Sequence, residues 1–392
     1  MPGSVIVSGA RTPIGRLGGA LAALGAVELG GYAIAEALRR AGISGEVVSS
    51  VAMGQVIQAG QGQNPARQAA ARGGVPLDVP AVTLNKVCIS GLATVQLADL
   101  LITSGEADVV VAGGMESMSR APHLVDARRG IPFGDSALRD SLADGLTDGF
   151  SGLAMGAATD RDAAGASITR ESQDALAELS HRRASIAVGQ GLFEGEIVPV
   201  AVPQRRGEDV LVTADEGIRG DTTVAALGRL RPAFDPDGTI TAGNASQISD
   251  GACAMVLTSR RTAERWGVRP LAEVVSYGTV AGPGTSLLTQ PSRAIEVALG
   301  RCGHTLDELE VIEVNEAFAA VAVASARDLG VTPDRFNPNG GAIALGHPLG
   351  MSGSRLALTA ALELRRRGGG LGVAALCGGG GLGDALVIRS VA

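Results

Sequence analysis

A stretch near the start of this chain returns near its end. Ala33-Ile-Ala-Glu-Ala-Leu-Arg-Arg-Ala-Gly42 aligns with Ala294-Ile-Glu-Val-Ala-Leu-Gly-Arg-Cys-Gly303 at an offset of 261, and six of the ten positions agree. With nearly the same offset, Gly91 to Val111 matches Gly353 to Val373, each a helical pattern leading into an apolar strand that ends in glycines. Internal similarity over such distances requires two similar halves, which constrains the fold more than any local propensity does. The length of 392 residues independently predicts two or three domains.

Within the first half, Val5–Ser8 reads as a short apolar strand and Leu29–Ala41 as a helix by its Leu29/Ala33/Ile34/Ala37/Leu38 spacing, with Gly42 as the C-cap. A helix from about Ile89 to Ser104 leads into the strand Ala107–Ala112, so helix and strand alternate as in an α/β layer structure. Residues 120–245 break the repeat. They are rich in Asp, Arg, Gly and Thr, and show helical patterns only at Arg170–Gly189 and Asp221–Leu230. Such an insertion at strand ends is expected to cover a site, the alternative being a surface elaboration or an oligomer contact. The expected division is 1–119 with 246–269 as one core half, 120–245 as an inserted loop domain, and 270–392 as the other core half.

Composition removes several function classes. Glycine fills 57 positions without a Gly-X-Y period, which excludes collagen and low-complexity disorder. A net charge of −7, scattered basic residues and 2% aromatic content argue against a nucleic-acid face. The start lacks a charged region before an apolar stretch, and no uncharged apolar run is long enough to span a bilayer, so neither secretion nor a membrane partner is expected and the cytoplasm is the default compartment. Cysteines at 88, 253, 302 and 377 never form C-x-x-C or neighbour a paired histidine, which makes free thiols the better reading than zinc.

Unusual residues concentrate in four stretches: Asn85-Lys-Val-Cys-Ile-Ser-Gly-Leu92, Asn315-Glu-Ala-Phe-Ala319, Gly340-Gly-Ala-Ile-Ala-Leu-Gly-His-Pro-Leu-Gly350 and Cys377-Gly-Gly-Gly-Gly-Leu-Gly383. Cys88 falls where an extended segment becomes a helix, so free N–H groups and the helix dipole can favour its thiolate. Lys86, the single lysine, is either a solvated or hydrogen-bonded residue or a local positive charge acting on that thiol. The repeat places Gly350, three residues beyond His347, where the first half has Cys88, so packed halves bring an imidazole near the Cys88 sulfur as a base. Cys377 ends the strand Leu371–Leu376, and the glycines after it free N–H groups to face an oxyanion. Gly378, Gly380 and Gly383 satisfy G-x-G-x-x-G, but Ala385–Arg389 reads as another strand, which argues against dinucleotide binding. Asn315, after the strand Val311–Val314, is a turn former or a holder of a water or an oxygen. His123, His181 and His304 carry no chemistry in this reading.

Together these stretches resemble the thiolase family, in its acetyl-CoA acetyltransferase and 3-ketoacyl-CoA thiolase branches. The resemblance spans essentially the whole chain, including Arg11-Thr-Pro-Ile-Gly15, Gly113-Gly-Met-Glu-Ser117 and Thr241-Ala-Gly-Asn-Ala-Ser246. It implies an α/β thiolase fold, two core halves with mixed sheets between helices and a loop domain over coenzyme A, assembled as a homotetramer or homodimer. It implies no resident cofactor and no metal, with coenzyme A and acyl-CoA as substrates. Cys88 would be acylated by a thioester with His347 as its base, and Cys377 would take the Cα proton of a second acetyl-CoA. One oxyanion hole would combine His347 with a water held by Asn315, the other the N–H groups of Cys88 and Gly379. Arg219 would stand beside the nucleotide end of coenzyme A, Ser246 would bond the pantetheine, and Leu146, Met155, Phe234, Ala317 and Phe318 would line its tunnel.

The activity so implied is reversible Claisen condensation of two acetyl-CoA to acetoacetyl-CoA plus CoA. The alternative is a degradative 3-ketoacyl-CoA thiolase of broader chain length in fatty-acid β-oxidation. Two departures bear on that choice: Ala154-Met155-Gly156 stands where many acetyl-CoA-specific members have His-Met-Gly, and Gln247-Ile-Ser-Asp250 is a form met more among degradative members. Ile89 is bulkier than the usual residue after the nucleophile. A noncatalytic acyl-CoA carrier is disfavoured by the presence of Cys88, Asn315, His347 and Cys377. A decarboxylating ketosynthase, with two histidines and no second cysteine, is disfavoured by the Cys377 segment.

Overall fold

The structure, a computed structural model, describes residues 3–390 apart from 129 and 132. The first half supplies strands β1 (Val5–Arg11), β2 (Ser50–Gly54), β3 (Ala81–Leu84), β4 (Val109–Ser117) and β5 (Ser249–Thr258). The second supplies β6 (Ala272–Ala281), β7 (Leu309–Val314), β8 (Gly370–Gly378) and β9 (Leu382–Ser390). With the two-residue strand Gly15–Arg16 on β5 they form a mixed ten-stranded sheet, ordered β7-β8-β9-β6-β1-β5-β4-β2-β3.

The halves repeat one connection scheme. A parallel pair, β2 with β4 or β7 with β8, is followed by an antiparallel strand, β5 on β4 or β9 on β8. In the second half β9 follows β8 after residues 379–381, whereas the return from β4 to β5 runs through the whole insertion. The sequence implies a sheet in each half; the structure joins them, because β1 and β6 pair antiparallel through Val5 with Glu273 and Ile6 with Ala272. Each strand thereby covers what would otherwise be the other's open edge.

The principal helices are α1 (Ala26–Ala41), α2 (Pro65–Arg72), α3 (Ser90–Thr103), α4 (Met155–Gly165), α5 (Arg170–Gly189), α6 (Gln290–Cys302), α7 (Ala319–Asp328) and α8 (Leu349–Arg366). Alternation along β4 sends Val109 and Val111 to the outer layer of α1 and α2, while Val110 and Ala112 join α3 and α8 in the centre. In the second half Val373 and Ala375 of β8 face α6 and α7, and Ala374 and Leu376 face the same central helices. Strands covered on both sides read as unbroken apolar runs, which is why the patterning looked continuous rather than alternating. The repeated helices α1 and α6 end alike, on Gly42 and Gly303 in the left-handed region at φ 68° and 71°.

The duplication meets itself at the centre. A Cβ on Gly91 of α3 would lie 2.6 Å from the Gly350 carbonyl oxygen, and one on its repeat partner Gly353 of α8 would lie 2.4 Å from the Leu92 nitrogen. These two glycines let the helix backbones touch, and so bring the starts of α3 and α8 together. In the insertion, Arg170–Gly189 is helical as expected, but the Asp221–Leu230 pattern yields only Val224–Leu227. Gly228 ends that turn, and the Arg170 guanidinium takes the carbonyls of Leu227 and Leu230 at 2.6 and 3.1 Å. Among the described residues no helix is long and apolar enough to cross a membrane.

Candidate active site

Five residues turn the chain from β3 into α3, and their hydrogen bonds fix the turn. The Val87 N–H donates to Asn85 Oδ1 (3.0 Å), the Lys86 N–H to Ser90 Oγ (2.8 Å), and Ser90 Oγ to the Val87 carbonyl (2.6 Å). Val87 is held at φ 53°, a costly conformation for a β-branched residue that persists only where its surroundings impose it. Cys88 follows, on the wall of a cavity of about 360 Å³.

The second half sends three elements to the same place. Asn315 ends β7 with its N–H on the Ala375 carbonyl (2.9 Å), and its side-chain Nδ2 lies 3.3 Å from His347 Nε2. His347 precedes α8, and its Nδ1 lies 2.6 Å from Ser352 Oγ. Because Ser352 Oγ donates to the Pro348 carbonyl (2.9 Å), it accepts from an Nδ1–H, which leaves the Nε2 lone pair as the basic atom. Cys377 and Gly379 occupy the end of β8 and the turn after it, and the Gly379 N–H donates to the Cys88 sulfur. Asn315 Oδ1 is buried without a partner among the described residues, an acceptor suited to a water or a substrate N–H.

Electrostatics set the resting protonation. Burial pushes the Cys88 thiol up to about 11 against the pull of N–H donation from Gly379 and from its own backbone, with nearby Glu116 adding to the rise. Expectation and structure differ here: a helix start was expected to favour thiolate, but desolvation outweighs it. Lys86 does not help, since its ammonium bonds both oxygens of Asp384, at 2.8 and 2.7 Å. Cys377 is raised further still, by burial and then by neighbouring Cys88. Burial, and secondarily the Arg355 charge, lowers His347 to about 3, so its imidazole is neutral. The resting site is two thiols and a neutral base.

Cys88, His347 and Gly379 line the cavity, together with Leu146, Met155, Phe234, Ser246, Ala317 and Phe318. Phe234 and Phe318 meet edge to face with centroids 6.4 Å apart. A Cβ on Gly156 would lie 2.1 Å from the Phe234 ring, so the glycine after Met155 is what lets that ring close on the cavity. Asn315 and Cys377 are fully buried and are not among the residues that line the cavity. Arg219 is not part of it: its side chain is exposed, and its N–H donates to His181 Nδ1 (3.2 Å). Ala154 does line the cavity, so the missing histidine leaves room there. Ile89 is fully buried in the central core and away from the lining, so its bulk packs the fold and does not narrow the site.

Two supports were not singled out in the sequence. Ser352 orients the base, and only its place five residues after His347 on a helix could have suggested it. Glu116, fully buried at the end of β4, accepts N–H groups from Val56 (3.0 Å), Ile57 (3.2 Å) and Gly350 (2.9 Å), holding the start of α8 against the loop beside Cys88. A charged residue inside the glycine-rich end of an apolar strand was the available signal. Gln247, noted as a departure, donates to the Gly217, Ile343 and Ala344 carbonyls at 3.1, 3.0 and 3.2 Å, while its own carbonyl accepts the His347 N–H at 3.1 Å.

An apolar cavity holding a thiol, a neutral imidazole and N–H groups directed at the sulfur is an arrangement able to carry out cysteine-dependent acyl transfer. Residues 4–261 match the description "Thiolase, N-terminal domain" and residues 268–390 "Thiolase, C-terminal domain". The chain belongs to the thiolase family. It is 54% identical over 392 residues to a probable acetyl-CoA acetyltransferase of Mycobacterium tuberculosis, covering all of both chains. It is 46% identical over 387 residues to an acetyl-CoA acetyltransferase of Cupriavidus necator, covering 98% of each. The crystal structure of the Bacillus anthracis acetyl-CoA acetyltransferase superposes with a TM-score of 0.97 at 37% identity, covering 100% of this chain and 99% of that one.

Proposed function

We propose that this enzyme is an acetyl-CoA C-acetyltransferase, interconverting two acetyl-CoA with acetoacetyl-CoA plus CoA through acetyl-Cys88. The observation that carries the reading is the neutral His347, whose Nε2, 3.3 Å from the Asn315 amide, shares one apolar cavity with a thiol that is protonated at rest. His347 takes the Cys88 proton, and the thiolate attacks the thioester carbonyl. Collapse expels the CoA thiolate, which takes its proton from Cys377, since that thiol must be emptied before it can act as a base. Cys377 then removes a Cα proton from a second acetyl-CoA, and the enolate attacks acetyl-Cys88. The departing Cys88 thiolate recovers the proton from His347, and every group returns to its starting state. Oxyanions formed on the way are met by the N–H groups of Cys88 and Gly379 and by His347 with an Asn315-bound water.

The relatives' names favour this reading over the degradative alternative, even though Ala154 and Gln247 depart from the acetyl-specific pattern. Ser246 and the tunnel residues would hold the pantetheine, and Arg219 would act at the cavity mouth on the nucleotide. Residues 120–245 would form the loop domain over coenzyme A, between core halves 1–119 with 246–269 and 270–392. Exposed Leu77, and Val82 on the edge strand β3, support assembly as a homodimer or homotetramer, and four free cysteines suit a reducing cytoplasm. The test is thiolysis by free CoA of acetoacetyl-CoA beside 3-ketohexanoyl-, 3-ketooctanoyl- and 3-ketodecanoyl-CoA. Cleavage confined to acetoacetyl-CoA is expected, and comparable rates on the longer substrates would replace the acetyl-specific reading with the degradative one.

A further inference from the structure

Lys86 is the only lysine in the chain, stands two residues before Cys88, and directs its charge away from the sulfur. Its ammonium lies 2.8 and 2.7 Å from the two oxygens of Asp384, a carboxylate with no solvent exposure near the start of β9. Asp384 stands opposite Leu376 in the β8–β9 ladder, beside Gly383, which stands opposite Cys377. The ion pair therefore joins the loop that carries Cys88, from the first half, to the base of the hairpin that carries Cys377 and Gly379, from the second. The other side-chain hydrogen bonds of Asn85, Lys86 and Ser90 stay within the first half: Asn85 Nδ2 donates to the Val56 carbonyl (3.3 Å), and the rest close the turn on itself.

We propose that Lys86 and Asp384 are positioning residues, an electrostatic clip between the two halves that sets the distance of Cys88 from the Gly379 N–H and from Cys377. Two physical arguments support it. A left-handed valine is held only by surroundings that over-determine it, and local hydrogen bonds fix the turn's shape but not its place against the other half. An ion pair between a fully buried carboxylate and a partly exposed ammonium is a weak source of stability, because desolvation of the carboxylate offsets attraction, whereas it holds two groups in one register well. Burial raises the Asp384 carboxyl and Lys86 opposes that rise, so the pair is mutually dependent. Acyl transfer is sensitive to such placement, an ångström of error costing about 10²-fold in rate.

The test compares wild type with K86M, D384L, K86M/D384L, K86R and D384E. Single-turnover acetylation of Cys88 by acetyl-CoA is read by peptide mass spectrometry, alongside kcat and KM for acetoacetyl-CoA thiolysis and the Tm. K86M alone leaves the buried Asp384 carboxylate without its cation, held only by hydrogen bonds from Thr279 and Gln96, and is expected to lose both Tm and rate. The double variant, with an apolar pair in place of the charges, is expected to recover Tm while acetylation stays about 10²-fold slow with KM little changed. K86R, which keeps the charge, is expected to regain much of the rate. Wild-type acetylation by the double variant overturns the proposal, as does a loss residing wholly in KM. Should the double variant not fold, acetylation of Cys88 at the wild-type single-turnover rate by the folded fraction of K86M overturns it equally. The inference rests on Cys88 as the acylated thiol: wild type that forms no acetyl-Cys88 sinks that reading, whereas acetylated wild type with unimpaired variants sinks the clip alone.

Discussion

At Cys88, burial and hydrogen bonding pull against each other, and the balance is measurable. With the thiol raised to about 11, raising the pH increases the thiolate fraction up to that value, so iodoacetamide alkylation of Cys88 should still be accelerating at pH 10. A plateau near pH 8 would show an activated thiolate instead. Cys88→Ser should abolish acyl-enzyme formation, and radiolabel from acetyl-CoA on that variant would refute the nucleophile assignment. Cys377→Ala should spare acetylation but stop condensation, whereas loss of both steps would mark Cys377 as structural. Ser352→Ala frees the imidazole to rotate and change tautomer, and should lower kcat by about 10²-fold with the fold intact. Cys88, His347, Asn315 and Cys377, the residues proposed to react, stood out in the sequence because rare residue types cluster at strand and helix ends, whereas Gly379, one of 57 glycines, came only from the family resemblance. Ser352 and Glu116 were not, since a serine on a helix and a glutamate on a strand are read as ordinary until folding shows what they hold.

Among the elements, the crossing of α3 and α8 decides whether the segments that carry Cys88 and His347 meet. Gly91→Ala places a methyl 2.6 Å from the Gly350 oxygen and 3.0 Å from the Ser354 nitrogen, both backbone atoms that cannot swing aside. Such overpacking costs about 1–3 kcal/mol, and the helices must separate to relieve it. Urea denaturation should report a lowered midpoint, and acetylation should slow beyond what the unfolded fraction explains. A variant with wild-type stability and rate would show that the crossing has slack. The repeat pointed to these glycines by aligning Gly91 with Gly353, although sequence alone could not say that the two touch. The predicted helix over Asp221–Leu230 went the other way, because a distant arginine captured its carbonyls.

Across the whole molecule, buried charge ties the insertion to both halves. Arg11 of β1 bonds Glu196 at 2.8 Å and Asp215 at 2.7 and 2.9 Å, and Thr359 of α8 donates to Glu196 at 2.9 Å. Replacing Arg11 by Met strands two carboxylates in the interior, a change worth about 3–5 kcal/mol. Thermal unfolding of Arg11→Met should therefore occur at a lower temperature, with protease cutting first within 120–245. Unfolding as cooperative and as late as in wild type would mean that the insertion is held by other contacts.

By itself the sequence determined the α/β class and the family, and it pointed to two similar halves and to the side chains proposed as reactive, because periodicity, duplication and rare residues are local properties of a chain. Only the tertiary structure decided that the two sheets join through β1 and β6, that Lys86 serves Asp384 and not Cys88, and that both thiols rest protonated. Those outcomes depend on which groups lose water together and which distant charges they meet, quantities that exist only once the halves have packed.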